Sequence, residues 1–351
     1  MRVFNLACQE VLDYGYEAKD YNKTHLNRGT YKTIRKKYPT LPSALVQTAR
    51  DQASDMLKRD KFKYKIFKKE MSSIRYDSRT MKVFLESGHV SLSTLFGRLT
   101  YNFQLPDYYK QYATWEIKNA QLLVKGNDCY LHVQVEADNP EPILNDNRLG
   151  IDMGINNIAV CSDNSFYNSK HHKAVKSRYQ HLKAELQSKG TRSAKRKLKK
   201  ISGRERRFVM DMNHCLSKEL VKKPHGVIAM ENLTNIKKQN KGRKFNHKLG
   251  NWSFHQLQTF IEYKAENVGK IVLYVKPQYT SQTCSRCGHK DKNNRKDRLF
   301  KCKGCGFELD ADLNAARNIA TFSRSGCSRV SVNHPNVAPS VVVTSLWAID
   351  K

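Results

Sequence analysis

The spacing of apolar positions changes period along the chain, and each change predicts a different kind of element. Near the start Phe4, Ala7, Cys8, Val11 and Leu12 recur at helical spacing. After a polar, basic stretch from Tyr21 to Tyr38, Pro42 opens a second helical run through Ala44, Val46, Ala49, Ala53 and Leu57. From Lys63 to about Asp138 the pattern turns to strands. Tyr64-Lys65-Ile66-Phe67 alternates, and Ser73-Ile74-Arg75-Tyr76 and Met81-Lys82-Val83-Phe84-Leu85 flank a hairpin turn at Asp77-Ser78-Arg79-Thr80. Trp115-Glu116-Ile117 and Asn119 to Val124 lead through Gly126-Asn127-Asp128 into the strand Tyr130 to Val135. Short strands at this spacing predict a small antiparallel barrel.

Asn139-Pro140-Glu141-Pro142 reads as a linker into a second region of mixed character. Leu149-Gly150-Ile151-Asp152 and Ile158-Ala159-Val160-Cys161 predict a hairpin. A long basic helical stretch follows from Lys173 to Lys222, with a break at Gly190. The apolar strand Val227 to Met230 ends in Glu231, a helix spans Phe254 to Val268, a strand spans Ile271 to Val275, and a closing helix runs from about Leu313 to Ala320. The remainder is rich in Ser and Val, carries Pro335 and Pro339, and is expected to be a loosely ordered tail. There is no internal repeat.

Charge narrows the possible partners. The 351 residues hold 63 Lys and Arg against 32 Asp and Glu, a formal net charge of +31, with a hydrophobic content of 39%. That is a globular chain which needs a polyanion to offset its charge, and nucleic acid is the usual one. A ribosomal or purely architectural binder would share this composition. No stretch approaches the roughly 20 apolar residues of a membrane span, and Met1 to Leu12, with Arg2, Gln9 and Glu10, lacks a signal-peptide core. Five cysteines, Cys8, Cys129, Cys161, Cys215 and Cys327, are scattered, unlike a secreted disulfide framework. The expectation is a cytoplasmic, reduced, nucleic-acid-associated protein.

Three acids stand at the ends of apolar elements. Asp152 and Glu231 end strands, and Gly154 lets the chain reverse after the first. Neighbouring parallel strands would set the two carboxylates side by side. Asp312, flanked by Asp310 and Asn314, stands at a helix start, where the dipole favours an anion. A strand-end Asp is commonly a turn residue, and an Asp at a helix start is commonly a cap. Gathered together, the three would repel unless a cation sat among them. Oxygen ligands of this kind suit Mg2+ or Mn2+, and two such ions about 4 Å apart can activate a water and stabilise the leaving oxygen of a phosphodiester. The order hairpin, helices, strand, helix fits a ribonuclease-H-like layout. An actin-like ATPase also carries Asp-x-Gly at a hairpin, but a second phosphate loop is missing here.

The pairs Cys284-x-x-Cys287 and Cys302-x-x-Cys305, fourteen residues apart, can each form a knuckle and together supply four thiolates to one structural Zn2+. A redox dithiol would need a single pair. Placed just before Asp312, this ribbon would also fix the approach to that acid. Lys195, Arg196, Lys197, Lys199 and Lys200, with Arg204, Arg206 and Arg207, form dense basic runs between the first two acids. They suit phosphate contacts without sequence information, or a solvated face. Lys290, Lys292, Arg295, Lys296 and Arg298 on the ribbon loop suit the same two readings.

At Gly150-Ile151-Asp152-Met153-Gly154, Ala229-Met230-Glu231-Asn232-Leu233, Tyr279 to Gly288 and Leu309 to Ile319, and at Trp252-Ser253-Phe254 with Tyr263 to Gly269, the chain resembles the TnpB (OrfB) family, transposon-encoded ancestors of type V CRISPR effectors. The motifs cover about residues 148–322, and residues 1–147 match in layout only. The resemblance implies an α/β, multi-domain, RNA-guided DNA endonuclease. Residues 1–62 would form a helical recognition lobe and 63–147 a wedge-type β-barrel. A RuvC nuclease domain would run over 148–280 and close over 309–322, with the zinc ribbon at 281–308 and a flexible tail at 323–351. Asp152, Glu231 and Asp312 would be its catalytic acids, holding two divalent ions, and its partners a guide RNA and double-stranded target DNA, cut next to a short motif. Family members begin with a barrel strand, whereas helical spacing starts at Met1 here, a departure that bears on motif recognition and leaves the acids in place. A guided repressor without cleavage and an unguided, resolvase-like nuclease are the competing readings.

Overall fold

The computed structural model describes residues 1–143, 145–233, 253–325, 329–330 and 341–344. Trp252, Cys327 and most of the expected tail lie outside the described residues. The chain forms two compact units, Met1–Asp138 with His334–Lys351, and Asn139–Asn333, which meet in sequence at the predicted linker.

The first unit opens with helices α1 (Arg2–Ala18), α2 (Lys23–Lys37) and α3 (Ser43–Asp60). Helix α2 occupies the polar stretch. It buries only Leu26, Thr30 and Ile34, one per turn, and Asn22 caps it by accepting from the N–H groups of Thr24 and His25. The expected strand at Tyr64–Phe67 does not form. Lys61 and Phe62 adopt positive φ of 47° and 57°, which turns the chain, and Tyr64 and Phe67 are both 77% exposed.

Strands β1 (Ile74–Asp77), β2 (Met81–Phe84), β3 (His89–Thr94) and β4 (Gly97–Asn102), the short helix α4 (Asp107–Lys110), β5 (Glu116–Lys125) and β6 (Asp128–Glu136) complete the unit. The turn at Asp77–Thr80 is present, but the strands beside it are not hairpin partners. β1 pairs with β5, while β2 pairs with β3. Both flanking strands are four residues long, and each finds a longer partner elsewhere. The result is two antiparallel sheets, β1-β5-β6 with Val341–Thr344 and β2-β3-β4, and no pairing among the described residues closes them into one barrel. β3 and β4 have no counterpart in the sequence reading, and β4 has no buried residue to create an alternating signal. One apolar cluster, from Phe4 and Leu57 to Tyr76, Val90 and Val133, joins the helices and the strands. The division expected at residue 62 is therefore not a break in packing.

The second unit is built on a six-stranded sheet. β7 (Arg148–Asp152), β8 (Asn157–Cys161) and β9 (Phe166–Asn168) form antiparallel neighbours. β10 (Val227–Glu231) and β11 (Ile271–Val275) run parallel to β7, and β15 (Arg329–Val330) closes the far edge, giving the order β15-β11-β10-β7-β8-β9. The basic stretch makes three helices, not two: α5 (Lys170–Lys189), α6 (Arg192–Ile201) and α7 (Arg204–Lys222), because Gly203 breaks it a second time. α7 and α8 (Phe254–Glu266) cover one face of the sheet, where Leu149, Ile151, Ile228 and Met230 meet Leu220, Phe254, Leu257 and Ile261. The closing helix α9 (Ala311–Ser325) covers the other, against Ala229 and Val275. Burial on both faces explains the uninterrupted apolar run of β10. Gly150 permits the close approach of α9, since a Cβ there would lie 2.0 Å from the Ala316 carbonyl oxygen and 2.6 Å from Ala320 N. Between β11 and α9, β12 (Arg295–Lys296), β13 (Leu299–Lys301) and β14 (Glu308–Asp310) form a small antiparallel sheet. The segment expected to be a tail from 323 thus holds the last turn of α9 and two strands, Arg329–Val330 and Val341–Thr344, the latter a β-branched run suited to pairing.

Candidate active site

Parallel pairing sets Ile228 opposite Leu149 and Met230 opposite Ile151, so Glu231 and Asp152 leave adjacent strands at the same edge. Asp312 joins them from the first turn of α9. The helix is capped by Asp310 instead, whose Oδ1 accepts from the N–H groups of Asp312 at 3.0 Å and Leu313 at 3.2 Å. The two acids of Asp310-Ala311-Asp312 therefore divide the work: one satisfies the helix end and the other is left for the cleft.

The carboxylates act on one another. Desolvation, then the charge of Glu231, then that of Asp312 hold the Asp152 carboxyl well above the usual carboxylate range, while Arg295 pulls it down. Desolvation also raises Glu231, against the Thr280 hydroxyl and Arg295, which favour its ionised form. Thr280 Oγ1 donates to Glu231 Oε1 at 2.6 Å, and its own carbonyl accepts from Asn318 of α9 at 2.7 Å. Asn157 Nδ2 donates to Asp312 Oδ2 at 3.2 Å, and Arg295 Nη2 pairs with Asp312 Oδ1 at 3.1 Å. Asn157 and Thr280 were not picked out from the sequence, and Arg295 was noted only as one ribbon base among five. Thr280 lies inside the quoted Tyr279 to Gly288 motif and Asn157 three residues past Gly154, which is the signal the sequence offers for them. A cleft of about 500 Å3 lies here, lined by Asn156, Gln282, Lys292, Arg295, Arg298 and Asp312. Mutual repulsion among acids in a partly desolvated cleft is the electrostatic setting that a divalent cation relieves.

The four cysteines converge. Sγ atoms of Cys284 and Cys305 are 3.9 Å apart and those of Cys287 and Cys302 3.6 Å, near the ~3.8 Å edge of a tetrahedron with zinc–sulfur bonds of about 2.3 Å. All four lie within 4.8 Å of one another, the tightest such grouping among the described residues; the three carboxylates are not drawn together as closely. Against its burial, backbone N–H groups of Cys305 and Gly304 lower the Cys302 thiol to about 6. Against the His289 N–H, hydrogen bonds from the neighbouring thiols push Cys287 up to about 12, so the four sulfurs share their protons until a metal displaces them. The cluster is compatible with zinc. Asn314 ties the ribbon to α9 by donating to the Thr283 carbonyl at 2.8 Å and accepting from Ser285 N at 3.0 Å.

Lys195, Arg196, Lys197, Lys199 and Lys200 are exposed on α6, and Arg204, Arg206 and Arg207 are exposed at the start of α7. Ala194 and Ile201 anchor α6 against Leu186 of α5. Among the described residues no helix is long and apolar enough to cross a membrane.

Two families match this chain, one described as "Cas12f1-like, TNB domain" over residues 254–319 and one described as "Probable transposase" (OrfB) over residues 131–240. A CRISPR-associated endodeoxyribonuclease Cas12f1 of Sulfoacidibacillus thermotolerans is 47% identical over 115 residues, 32% of this chain and 24% of that protein. A TnpB-like protein of Methanocaldococcus jannaschii is 43% identical over 128 residues, 35% of this chain and 45% of the relative. The matched stretches thus span less than half the length of these curated relatives. A Cas12f1 solved in complex with sgRNA and target DNA superposes with a TM-score of 0.66 over 91% of this chain and 81% of that one, a likeness of fold at 14% identity. Both family matches contain the candidate acids, Asp152 and Glu231 in one and Asp312 in the other, so the likeness to TnpB-like and Cas12f1 proteins extends over all three carboxylates.

Proposed function

We propose that this chain is a transposon-encoded, RNA-guided DNA endonuclease of RuvC type, working in a prokaryotic cytoplasm and cutting double-stranded DNA next to a short motif specified outside the guide. The observation that carries this reading is the placement of Asp152, Glu231 and Asp312 at one sheet edge, where burial first, and then the charges of Glu231 and Asp312, hold the Asp152 carboxyl high. The same acids sit inside family matches whose relatives are named as nucleases, and +31 of net charge suits a polynucleotide.

Asp152, Glu231 and Asp312 would hold two Mg2+ or Mn2+ ions, and Cys284, Cys287, Cys302 and Cys305 one structural Zn2+. When bound, the divalent ions supply the charge that makes a water nucleophilic and stabilises the leaving oxygen of the phosphodiester. The chain's own groups set the stage. Thr280 fixes the rotamer of Glu231, and Asn157 and Arg295 hold the two oxygens of Asp312. Arg295 also places a fixed positive charge where a phosphate would enter. Lys195, Arg196, Lys197, Lys199, Lys200, Arg204, Arg206 and Arg207 would grip the backbones of the guide RNA and target DNA by charge alone.

The test uses protein purified with its RNA, which is sequenced to define a matching target. Mg2+-dependent cutting is expected from the wild type, and Asp152→Ala should lose it while retaining the RNA. Undiminished cutting by that variant would remove the site assignment.

A further inference from the structure

A second cavity of about 350 Å3 adjoins the acid cleft within the same unit. Its floor is apolar, formed by Ile158, Phe254 and Leu257, and its rim on α5 carries Lys173, Lys176 and Ser177. Asn156 lines both this cavity and the cleft that holds Asp312 and Arg295, so the two hollows share a wall. The Asn156 side chain is fixed there, its Oδ1 accepting from Lys173 Nζ at 2.9 Å. On the far side, Lys176 and Ser253 also line a third hollow that contains Arg206 and Glu205, the latter paired with Lys183 at 2.5 Å and Lys176 at 4.0 Å. Acid cleft, apolar cavity and a hollow carrying Arg206 thus follow one another across the unit.

We propose that the cavity receives the base of a nucleotide immediately flanking the scissile phosphate, on the DNA strand being cut. The proposal rests on the nuclease reading above and specifies how the strand lies in that site. A polynucleotide alternates an anionic link with a flat apolar ring, and the three hollows present the same alternation. Phosphates meet the divalent site and then the exposed Arg206 guanidinium, with a base turned inward between them. The volume lies at the lower end of ligand pockets, about 300–1,000 Å3, enough for one base and too little for several. The partly exposed Ile158, backed by buried Phe254 and Leu257, packs on any base by apolar contact, so the cavity fixes the strand without hydrogen-bond readout. Insertion requires an unpaired nucleotide, which limits the cleft to DNA strands already separated. Base insertion also fixes the position of the neighbouring phosphate, which is the kind of positioning that raises a cutting rate.

Ser177 is exposed on the cavity rim and is outside the acid site. Ser177→Trp should fill the cavity from the rim without altering the acids. The measurement compares wild-type and Ser177→Trp protein, each carrying its RNA, on a matched target whose cut position has been mapped. Parallel targets carry an abasic residue at each nucleotide flanking the cut. Thermal melting confirms that the variant is folded. Cutting of the intact target is expected to slow by about tenfold in the variant. A target abasic at one flanking position should bring the variant's rate back to that of wild type on the same target. Equal rates for both proteins on intact DNA would overturn the inference, as would a slow variant that no abasic position rescues. A wild type that cuts nothing fails the nuclease reading itself, whereas a wild type that cuts beside an unaffected variant overturns only the base pocket.

Discussion

Arg295 Nη2 lies 3.1 Å from Asp312 Oδ1, and it reaches that position from the first strand of the cysteine ribbon. The ribbon is therefore part of the acid cleft. Further ties run through Asn314 and Asn318, which bond the segment leading into the first knuckle to α9. Because the thiols and the carboxylates share this framework, losing order at one should reach the other.

Cys287→Ser tests that coupling, since Cys287 is exposed and its sulfur leaves the core intact. The wild type should contain one zinc per chain by elemental analysis. The variant should contain less and cut at least about tenfold more slowly in excess Mg2+. A zinc-depleted variant that cuts at full rate would separate the ribbon from the cleft.

Removing the guanidinium should shift a pH profile. Arg295 lowers the proton affinity of both Asp152 and Glu231, so Arg295→Ala should raise it further. The acid limb of the cutting rate then moves to higher pH, and Arg295→Lys moves it less. Superimposable profiles for wild type and Arg295→Ala would contradict the assigned electrostatics.

The same carboxyls make a stability prediction. Their folded-state proton affinity lies above that of the unfolded chain, so between the two pKa values the folded protein binds more protons. Stability then falls as pH rises through the interval above the ordinary carboxylate range. Through these two carboxyls metal-free protein should lose melting temperature from about pH 4 upward, against the opposite slope that the depressed Asp77 and Asp163 contribute at lower pH. The slope should be smaller in Asp152→Asn, and Mg2+ should flatten it in the wild type. Calorimetric melting curves across pH decide this, and identical slopes for the two proteins would refute it.

Asp310 and Asp312 should fail in different ways. Asp310→Ala removes the side-chain cap of α9 and is expected to cost about 1 kcal/mol in chemical denaturation, with cutting largely kept. Asp312→Ala should abolish cutting at a smaller stability cost than Asp310→Ala, since relief of like charge offsets the lost Arg295 ion pair and Asn157 hydrogen bond. The opposite pattern would exchange the two roles.

Gly150→Ala places a methyl group against the backbone of Ala316 and Ala320, which cannot rotate away. A loss of about 1–3 kcal/mol is expected. Cutting should also drop, since α9 carries Asp312. An unchanged melting temperature would mean that the helix is not seated as described.

Much of the second unit could be read from residue order because its elements bury both faces or repeat at clear periods. Val227 to Met230 is apolar throughout, Asp152 and Glu231 mark the strand ends, and the cysteine spacing defines two knuckles. The reading weakened where a partner distant in sequence decides the outcome. β1 prefers β5 to the adjacent β2, β4 is exposed along its length, and Tyr64–Phe67 alternates yet pairs with nothing. Local alternation says that a strand is affordable there, but the ladder partner that stabilises it lies elsewhere.

The sequence by itself determined which residues can bear the chemistry: three carboxylates at element ends, four thiols at knuckle spacing, and a surplus of positive charge. Periodicity and spacing act within a few residues, and such features are complete at that range. Only the tertiary structure decided that Asp310 caps while Asp312 faces the cleft, that Arg295 and Thr280 close around the acids, and that Asn156 joins the cleft to an apolar cavity. These contacts link segments whose separation along the chain is set by packing of the sheet and its helices, and no local pattern encodes that distance.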